Sequence, residues 1–135
     1  MKEWCFGGTI SNTLTIPAFS SALGAGYWNT RKMLAGCTSG LAYDMTATYG
    51  GKDDWYLPNK VEWEAMWAAR ASLSGYFVEG NGYMASEEQA ADWAYEMYGS
   101  APSGGAGGTW ATYGWYQHTK TGLNANIYSR AIRAF

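Results

Sequence analysis

The chain has 135 residues, enough for one domain that buries its own core, and we expect a single domain over residues 1–135. Its formal net charge of −2, with nine Lys and Arg, argues against a nucleic-acid-binding surface, which needs a basic patch. No apolar run approaches the roughly 20 residues that span a bilayer. The residues after Met1 do not resemble a secretory signal peptide, so we expect a protein that stays in the cytosol or is assembled there and later released.

The composition favours a docking surface over a freely circulating enzyme. Aromatic residues make up 17% of the chain, glycine contributes 18 residues, and charged residues are only 15%. Average proteins have about a quarter charged residues. Binding loops use Tyr, Trp and Gly because aromatic side chains give contact area at low entropic cost.

Cys5 and Cys37 are too few for a disulfide framework and lack the spacing of a metal site. We expect two free, buried thiols, with a single Cys5–Cys37 bridge as the alternative.

The first third of the chain predicts two short strands and a helix. Apolar residues alternate over 4–10 and over 14–16, where Pro17 ends the second strand or places it at a sheet edge. Asn29 or Thr30 can cap a helix with an apolar face of Met33, Leu34, Cys37, Leu41 and Met45. Because Gly36 and Gly40 weaken a helix interior, two shorter helices separated near residues 37–39 are the alternative.

Residues 50–60, which we call the pivot segment, organise the rest of the chain. Gly50 and Gly51 reverse the chain direction, and Asp53 and Asp54 favour a turn. An apolar cluster follows, in which we expect Trp55 to be buried; its members are Trp55, Tyr56 and Leu57.

A well-capped helix follows the pivot segment. Pro58 prevents an earlier helix start, and Asn59 is a good N-cap whose capping-box partner is Glu62. From Lys60 to about Leu73 the apolar residues recur at helical spacing; they are Val61, Trp63, Met66, Trp67 and Ala71.

The second half of the chain predicts short strands and loops. Strands are expected at 76–78 and from Tyr83, with an Asn-Gly turn at 81–82 between them. Residues 92–98 fit a strand or a helix, residues 99–108 form a glycine-rich loop, and the last strands span 110–116 and 126–135.

Four ordered motifs resemble those of the Lcl C-terminal domain family, which occurs in bacterial adhesins and phage virion proteins. They are residues 24–30, residues 50–66, residues 83–87 with 91–94, and residues 129–135. The chain departs from the family at Met84 and Ala85, where Trp and Ser are usual, and by the insert after Gly99.

The resemblance covers about residues 24–135 and implies an α+β, C-type lectin-like fold related to that of the formylglycine-generating enzyme. In such a fold two helices pack on short, twisted, mostly antiparallel strands, and the N- and C-terminal strands lie close together. The resemblance also favours a strand over residues 92–98. It marks these residues as structural: Asp54, Trp55, Leu57, Pro58, Asn59, Glu62, Glu87, Trp93, Arg130 and Arg133.

The sequence indicates neither an enzyme nor a cofactor. His118 is the only histidine, no Gly-x-Ser-x-Gly elbow occurs, and one His with two distant Cys predicts no zinc site. The cysteine-based site of formylglycine-generating relatives does not transfer, because no cysteine follows Cys37.

The carboxylates and arginines are assigned structural roles. We expect Asp54 to hold a turn and Glu87 to bond backbone amides of a loop. The weaker alternative is that the carboxylate pairs at 53–54 and 87–88 bind calcium or act as an acid and a base. Arg130 and Arg133 point to opposite faces of a strand. We expect Arg130 in particular to face inward, with Asp54 or Glu62 as the candidate partners, whereas a solvated Arg133 is an equal alternative.

The predicted binding surface consists of two loops, residues 75–83 and residues 99–116, because both combine glycine turns with exposed aromatics. The strongest candidates are Trp110 and Tyr113 in the second loop. The further candidates are Trp115 and Tyr116 at its end, His118 just beyond it, and Asn81 and Tyr83 in the first loop.

The resemblance implies a virion context, and the composition and the absence of catalytic motifs agree with it, so we expect a non-enzymatic phage virion protein, either a capsid decoration or a head- or tail-associated accessory protein. Its expected partners are capsid or tail proteins and a host-surface glycan, with self-association as a further alternative. The alternative function is a carbohydrate- or glycosaminoglycan-binding adhesin module, or a tail-fibre receptor-binding tip.

Overall fold

A computed structural model describes residues 4–5, 22–73, 76–77, 81–90, 93–100, 112–119 and 127–133, with only the backbone described at 89–90, 98–100, 112–114 and 117–118. Within these ranges the fold is mixed α+β, with three α-helices and a four-stranded mixed sheet. Residues 6–10 of the first predicted strand, the second predicted strand at 14–16 and most of the glycine-rich loop lie outside these ranges.

The helices are α1 (Ala25–Gly36), α2 (Leu41–Met45) and α3 (Lys60–Ala68), and a 3-10 helix (Arg70–Ser72) follows α3. The strands are β1 (Gly82–Ala90), β2 (Trp93–Ser100), β3 (Thr112–Thr119) and β4 (Ile127–Tyr128). None of the helices in the described part of the chain has the length and apolar character needed to cross a membrane.

The sheet has the order β3-β2-β1-β4. β1 pairs antiparallel with β2, and β2 pairs antiparallel with β3, whereas β4 runs parallel to β1. The alternation over residues 92–98 therefore belongs to a strand. β1 lies inside the sheet, and its side chains are buried from residue 82 to residue 87, so both faces of the sheet are covered there.

The first helix begins earlier than its predicted cap. α1 starts at Ala25, and Asn29 and Thr30 are buried inside it. The Asn29 amide donates to Ser86 Oγ at 3.3 Å, while Thr30 Oγ1 accepts from the Leu57 amide at 2.9 Å. The predicted N-cap at Asn29 or Thr30 was wrong, because both side chains make tertiary hydrogen bonds. The alternative of two helices is confirmed by the break between α1 and α2.

The chain reversal in the pivot segment is confirmed. Gly50 and Gly51 have φ angles of 60° and 73°, and the Tyr49 and Lys52 backbones exchange hydrogen bonds of 2.9 and 3.1 Å. Two successive positive φ angles are typical of a tight hairpin turn, in which glycine avoids steric cost.

The capping box of α3 is also confirmed. The Glu62 amide donates to Asn59 Oδ1 at 2.9 Å, and the Asn59 amide donates to Glu62 Oε2 at 2.8 Å. Glu62 is itself buried and accepts a hydrogen bond from the Gly24 amide at 3.0 Å. The same carboxylate thus caps α3 and fixes the start of α1.

Glu87 links α3 to the sheet. It lies in β1, not in a loop, and its carboxylate accepts a hydrogen bond from the Lys60 amide. Burial raises the pKa of Glu87 above its ordinary value. The predicted bond to a backbone amide is confirmed, but the loop was wrong because the strand extends through residue 90.

Two apolar clusters form the core. One joins α1 and α2 to the sheet; it consists of Trp4, Cys5, Met33, Cys37, Leu41, Ala42, Leu57, Met84, Ala94 and Ile127. The other packs α3 on the sheet; it consists of Trp63, Trp67, Tyr83, Ala85 and Met97. An indole hydrogen bond joins each cluster to β1. Trp4 donates to the Ala85 carbonyl at 2.7 Å, and Trp63 donates to the Met84 carbonyl at 3.1 Å.

The expectation of two free thiols was wrong. Cys5 and Cys37 form a disulfide with a Cα–Cα distance of 5.4 Å. Cys37 follows the last residue of α1, so the bridge ties the N-terminal segment to the helix end. The alternative of a single Cys5–Cys37 bridge is confirmed.

The C-terminal segment pairs with the pivot segment. Tyr56 and Ile132 form an antiparallel bridge with backbone hydrogen bonds of 2.8 and 2.9 Å. This places Arg133 beside Asp54, where two hydrogen bonds of 2.8 and 2.9 Å join the guanidinium to the carboxylate. Asp54 was a predicted partner, but the paired arginine is Arg133, not Arg130, because the bridge at Ile132 sets the register.

Trp55 is half-buried, so the prediction of a buried side chain was wrong. Leu57, Pro58 and Asn59 are buried, as their structural assignment requires. Trp93 begins β2 and is 40% exposed, so it is not a core residue.

Candidate functional site

A groove of about 390 Å³ lies where the segment after α2, the pivot segment and the C-terminal segment meet. We call it the aromatic groove. Its described lining residues are Asp44, Met45, Ala47, Thr48, Tyr49, Trp55, Tyr76, Ser129, Arg130 and Ala131. Its volume falls in the range of small-molecule sites, which are concave and mostly apolar with a few polar groups.

The hairpin turn positions one wall of the groove. Tyr49 precedes the two glycines and is 77% exposed. The Trp55 indole donates to the Tyr49 carbonyl at 3.2 Å, and the two rings make an edge contact with centroids 6.2 Å apart. The hydrogen bond fixes the indole against the turn, so the wall has two aromatic surfaces in a defined arrangement.

Tyr76 belongs to a second wall and is held by the C-terminal segment. Its hydroxyl donates to the Ala131 carbonyl at 3.3 Å. Burial raises the pKa of Tyr76 above its ordinary value, which keeps the phenol protonated and able to donate. The Arg130 guanidinium carbon lies 5.2 Å from the Tyr76 ring centroid, within cation–π range.

Two polar atoms in the groove wall have unused hydrogen-bonding capacity. Arg130 Nε and Ser129 Oγ are buried, and neither has a hydrogen-bond partner in the described part of the chain. Buried polar atoms in proteins are nearly always paired, and each exception calls for an explanation. Both atoms are closed to solvent, so a ligand in the groove would reach Arg130 through other atoms of its side chain.

The neighbouring ion pair affects which charges reach the groove. The Arg133 guanidinium lies 5.9 Å from the Trp55 ring centroid and holds the pKa of Asp54 below its ordinary value, chiefly by hydrogen bonding. Asp54 and Arg133 therefore satisfy each other. Of the described residues that line the groove, Arg130 is the cation and Asp44 the anion.

The predicted binding aromatics of β3 lie elsewhere. Trp115 is half-buried and its indole donates to Glu64 Oε1 at 2.8 Å. The ammonium of Lys60 lies 5.2 Å from the centroid of the same ring. Tyr116, the next residue of the strand, is 54% exposed. Trp115 thus braces α3 against the sheet, whereas Tyr116 is available for contact.

Asn81 and Tyr83 do not offer a contact surface, so their assignment as binding residues was wrong. Tyr83 is fully buried in the cluster beneath α3, and Asn81 is only 8% exposed. Asn81 directly precedes β1, and Tyr83 is the second residue of that strand. Tyr83 is covered by the apolar cluster that packs α3 on the sheet.

The remaining candidates are not tested by the structure. Trp110 lies outside the described residues. Tyr113 and His118 are described by their backbones alone, which pair with Gly99 and Ala94 of β2. Their roles in partner contact stay predictions.

Sequence reasoning missed Tyr49, Tyr76 and Ser129. The predicted binding surface lay in two other loops, whereas the structure opens a groove between the pivot segment and the C-terminal segment. One signal was available: an aromatic residue directly before a two-glycine turn lies at the tip of a hairpin, where side chains reach solvent.

No group of three or more His, Cys, Asp and Glu in the described ranges is arranged to hold a metal ion. Compared with models of protein families, with curated proteins and with solved structures, the chain gives no match.

Proposed function

We propose that this chain is a non-enzymatic binding module that attaches to a surface glycan through the aromatic groove, and that it does so as a protein of a phage particle. The observation that supports the binding function is a groove walled by Tyr49, Trp55 and Tyr76, with Asp44 and Arg130 as the charged residues of its described lining. In such a site the side chains that would contact a ligand are already held in position before it binds.

The groove chemistry suits a sugar ring. Aromatic faces pack against the apolar C–H faces of a pyranose, while the charged side chains of the lining, Asp44 and Arg130, can bond its hydroxyl groups. The volume of about 390 Å³ suits one or two sugar residues rather than a folded partner.

The motif resemblance supports a C-type lectin-like version of the α+β fold and the virion context. In this proposal the protein is a capsid decoration or a head- or tail-associated accessory protein, with capsid or tail proteins as its partners. The exposed Tyr116 of β3 is a candidate for that docking contact.

The disulfide favours a second candidate function, an adhesin module that works outside the cell, either alone or as a receptor-binding tip. Disulfides persist in oxidising surroundings and are rare in the cytosol. Released particles also meet such surroundings, so the Cys5–Cys37 bridge suits both versions of a surface-binding protein.

The binding function is tested with single substitutions in the groove. We expect the parent protein to be retained on a polysaccharide array, and Tyr49→Ala and Trp55→Ala each to weaken retention about tenfold or more, as for aromatic anchors. Trp28→Ala is the matched control, since Trp28 is 66% exposed on α1 and does not line the groove.

Because Tyr49 is largely exposed, its variant should fold, which circular dichroism can verify. Undiminished binding by a folded Tyr49→Ala and Trp55→Ala pair would exclude the groove as the site. The virion protein and the adhesin are distinguished by mass spectrometry of purified phage particles and of the secreted fraction from the same culture. Recovery with particles supports a virion protein; recovery only in the secreted fraction supports the adhesin.

A further inference from the structure

We infer that the aromatic groove selects glycans that bear a carboxylate, with Arg130 as the anchoring group. This inference rests on the proposed glycan-binding function and adds the class of sugar. Uronic acids are the simplest sugars of this class, since they combine a pyranose ring with one carboxylate.

Arg130 is oriented for such a ligand. Its guanidinium carbon lies 5.2 Å from the Tyr76 ring centroid, and Tyr76 is anchored in turn through its hydroxyl to the Ala131 carbonyl. The planar guanidinium of arginine carries its N–H groups in a fork that matches a carboxylate. Arg130 Nε is closed to solvent, so a carboxylate in the groove would pair with the terminal N–H groups of the guanidinium.

Among the described residues, no acid is hydrogen-bonded to Arg130. Asp54, the carboxylate of the pivot segment, is held by Arg133 through two hydrogen bonds. Asp44 lines the groove but no hydrogen bond joins it to Arg130 in the described structure. Arg130 therefore keeps a donor for a carboxylate that comes from outside.

The charge balance favours a single carboxylate over a densely sulfated chain. The described lining of the groove has one cation, Arg130, and one anion, Asp44, and the whole chain has a net charge of −2. A polysulfate carries many negative charges, so it would need several cations in the site to offset its repulsion from a protein of net negative charge. Other polyanions, such as nucleic acids, have the same requirement. One carboxylate per ring needs only one guanidinium.

The test compares four polymers by biolayer interferometry at low and physiological salt. Polygalacturonate presents carboxylates, and its fully methyl-esterified form has the same backbone without the charge. Dextran is a neutral polymer and dextran sulfate a sulfated one. We expect binding to polygalacturonate to exceed that to the ester and to dextran sulfate by about tenfold or more, which corresponds to one charge-assisted contact.

Variants identify the anchor. Arg130→Gln should lower polygalacturonate binding about tenfold, and Arg130→Lys, which keeps the charge but not the fork, should lower it less. Asp44→Asn should strengthen binding by removing a repelling carboxylate, and because Asp44 is exposed this variant tests the idea even if Arg130→Gln fails to fold. Arg31→Gln is the matched charge control, since Arg31 is exposed on α1 outside the groove.

The outcomes separate the two proposals. If dextran or the methyl ester binds as well as polygalacturonate, and Tyr49→Ala abolishes this binding, the groove binds glycans but the carboxylate inference is wrong. Preference for dextran sulfate, or unchanged binding by folded Arg130→Gln and Asp44→Asn, also overturns it. If the parent binds none of the four polymers, the carboxylate inference is rejected, and failure across the wider polysaccharide array rejects the glycan function as well.

Discussion

At the scale of single residues, Asn59 has more tasks than an ordinary N-cap. Its side-chain Oδ1 accepts a hydrogen bond from the backbone amide of Glu62, and its own backbone amide donates to the Glu62 carboxylate. Its side-chain amide group also donates to the Ala22 carbonyl. The side chain is fully buried. It therefore joins the start of α3 to the segment that leads into α1.

Asn59→Ala should lower the free energy of unfolding by about 2 kcal/mol, the upper end for N-cap loss, because a buried tertiary bond is lost with the cap. Urea denaturation followed by tryptophan fluorescence measures this. Asn59→Ser, which restores a capping oxygen, should recover part of the loss. Asp53→Ala, an exposed change in the same segment, should stay within about 0.5 kcal/mol of the parent. Equal midpoints for Asn59→Ala and the parent would contradict the assigned role.

Asp54 gives the fold an acid-sensitive contact. Hydrogen bonding to Arg133 lowers the pKa of Asp54 below its ordinary value of 3.8. The folded state therefore binds the Asp54 proton less tightly than the unfolded chain does. As a result, the ion pair contributes its full stability at pH values above the ordinary pKa of 3.8. This stability is lost as the pH falls from 3.8 through the lowered pKa.

We therefore expect Asp54→Asn to flatten the fall in stability below pH 4. Arg133→Gln should have a similar effect, since it removes the other half of the pair. The double variant should show no further change, as for a single shared interaction. Urea midpoints recorded between pH 6 and pH 2 test this, and an acid limb as steep as the parent's in Asp54→Asn would refute it.

At the scale of elements, the packing of α1 on the pivot segment depends on close backbone approach. A Cβ atom added at Gly26 would meet the Glu62 carboxylate and lie 2.8 Å from the Leu57 carbonyl oxygen and 2.9 Å from the Asn59 nitrogen. These neighbours are backbone atoms and a carboxylate already in use for capping. They cannot move without loss of the hydrogen bonds that define the start of α3.

Gly26→Ala should therefore destabilise the protein by about 1–3 kcal/mol, although alanine is the better helix former, because overpacking outweighs propensity. Thermal denaturation followed by circular dichroism provides the measurement. Ala35→Ser, an exposed change in the same helix, serves as control and should change stability by less than about 0.5 kcal/mol. A melting temperature at or above the parent's in Gly26→Ala would show that α1 can move aside.

At the scale of the whole molecule, the fold is closed by contacts between distant segments. Trp4 reaches the Ala85 carbonyl, Cys5 is bonded to Cys37, and the Tyr56–Ile132 bridge joins the C-terminal segment to the pivot segment. The disulfide closes a loop with a sequence separation of 32 residues. Such a bridge stabilises mainly by restricting the unfolded chain.

Reduction with dithiothreitol should lower stability by about 3–4 kcal/mol, as the chain-entropy relation gives for a loop of this size. For a protein of this length that is a fall in melting temperature of roughly 10 °C. The double variant Cys5→Ser, Cys37→Ser should melt near the reduced parent and should not respond to reductant. Identical melting of the oxidised and reduced parent would show that the bridge does not contribute to stability.

The sequence by itself determined the features whose partners lie within a few residues. The turn at Gly50–Gly51, the Asn59–Glu62 capping box and the start of α3 follow from local hydrogen bonds and from the backbone freedom of glycine. The strand over residues 93–100 follows from alternation together with the motif resemblance. These contacts are the same in any tertiary setting, so a pattern of residue types is enough to predict them.

Only the tertiary structure decided which distant residues meet. Asn29 and Thr30 look like caps, but their hydrogen bonds go to Ser86 and Leu57. The Cys5–Cys37 bridge, and the choice of Arg133 over Arg130 for Asp54, depend on a register that no local pattern encodes. The aromatic groove exists because three segments far apart in sequence approach one another without filling the space between them, and that outcome is set by packing of the whole chain.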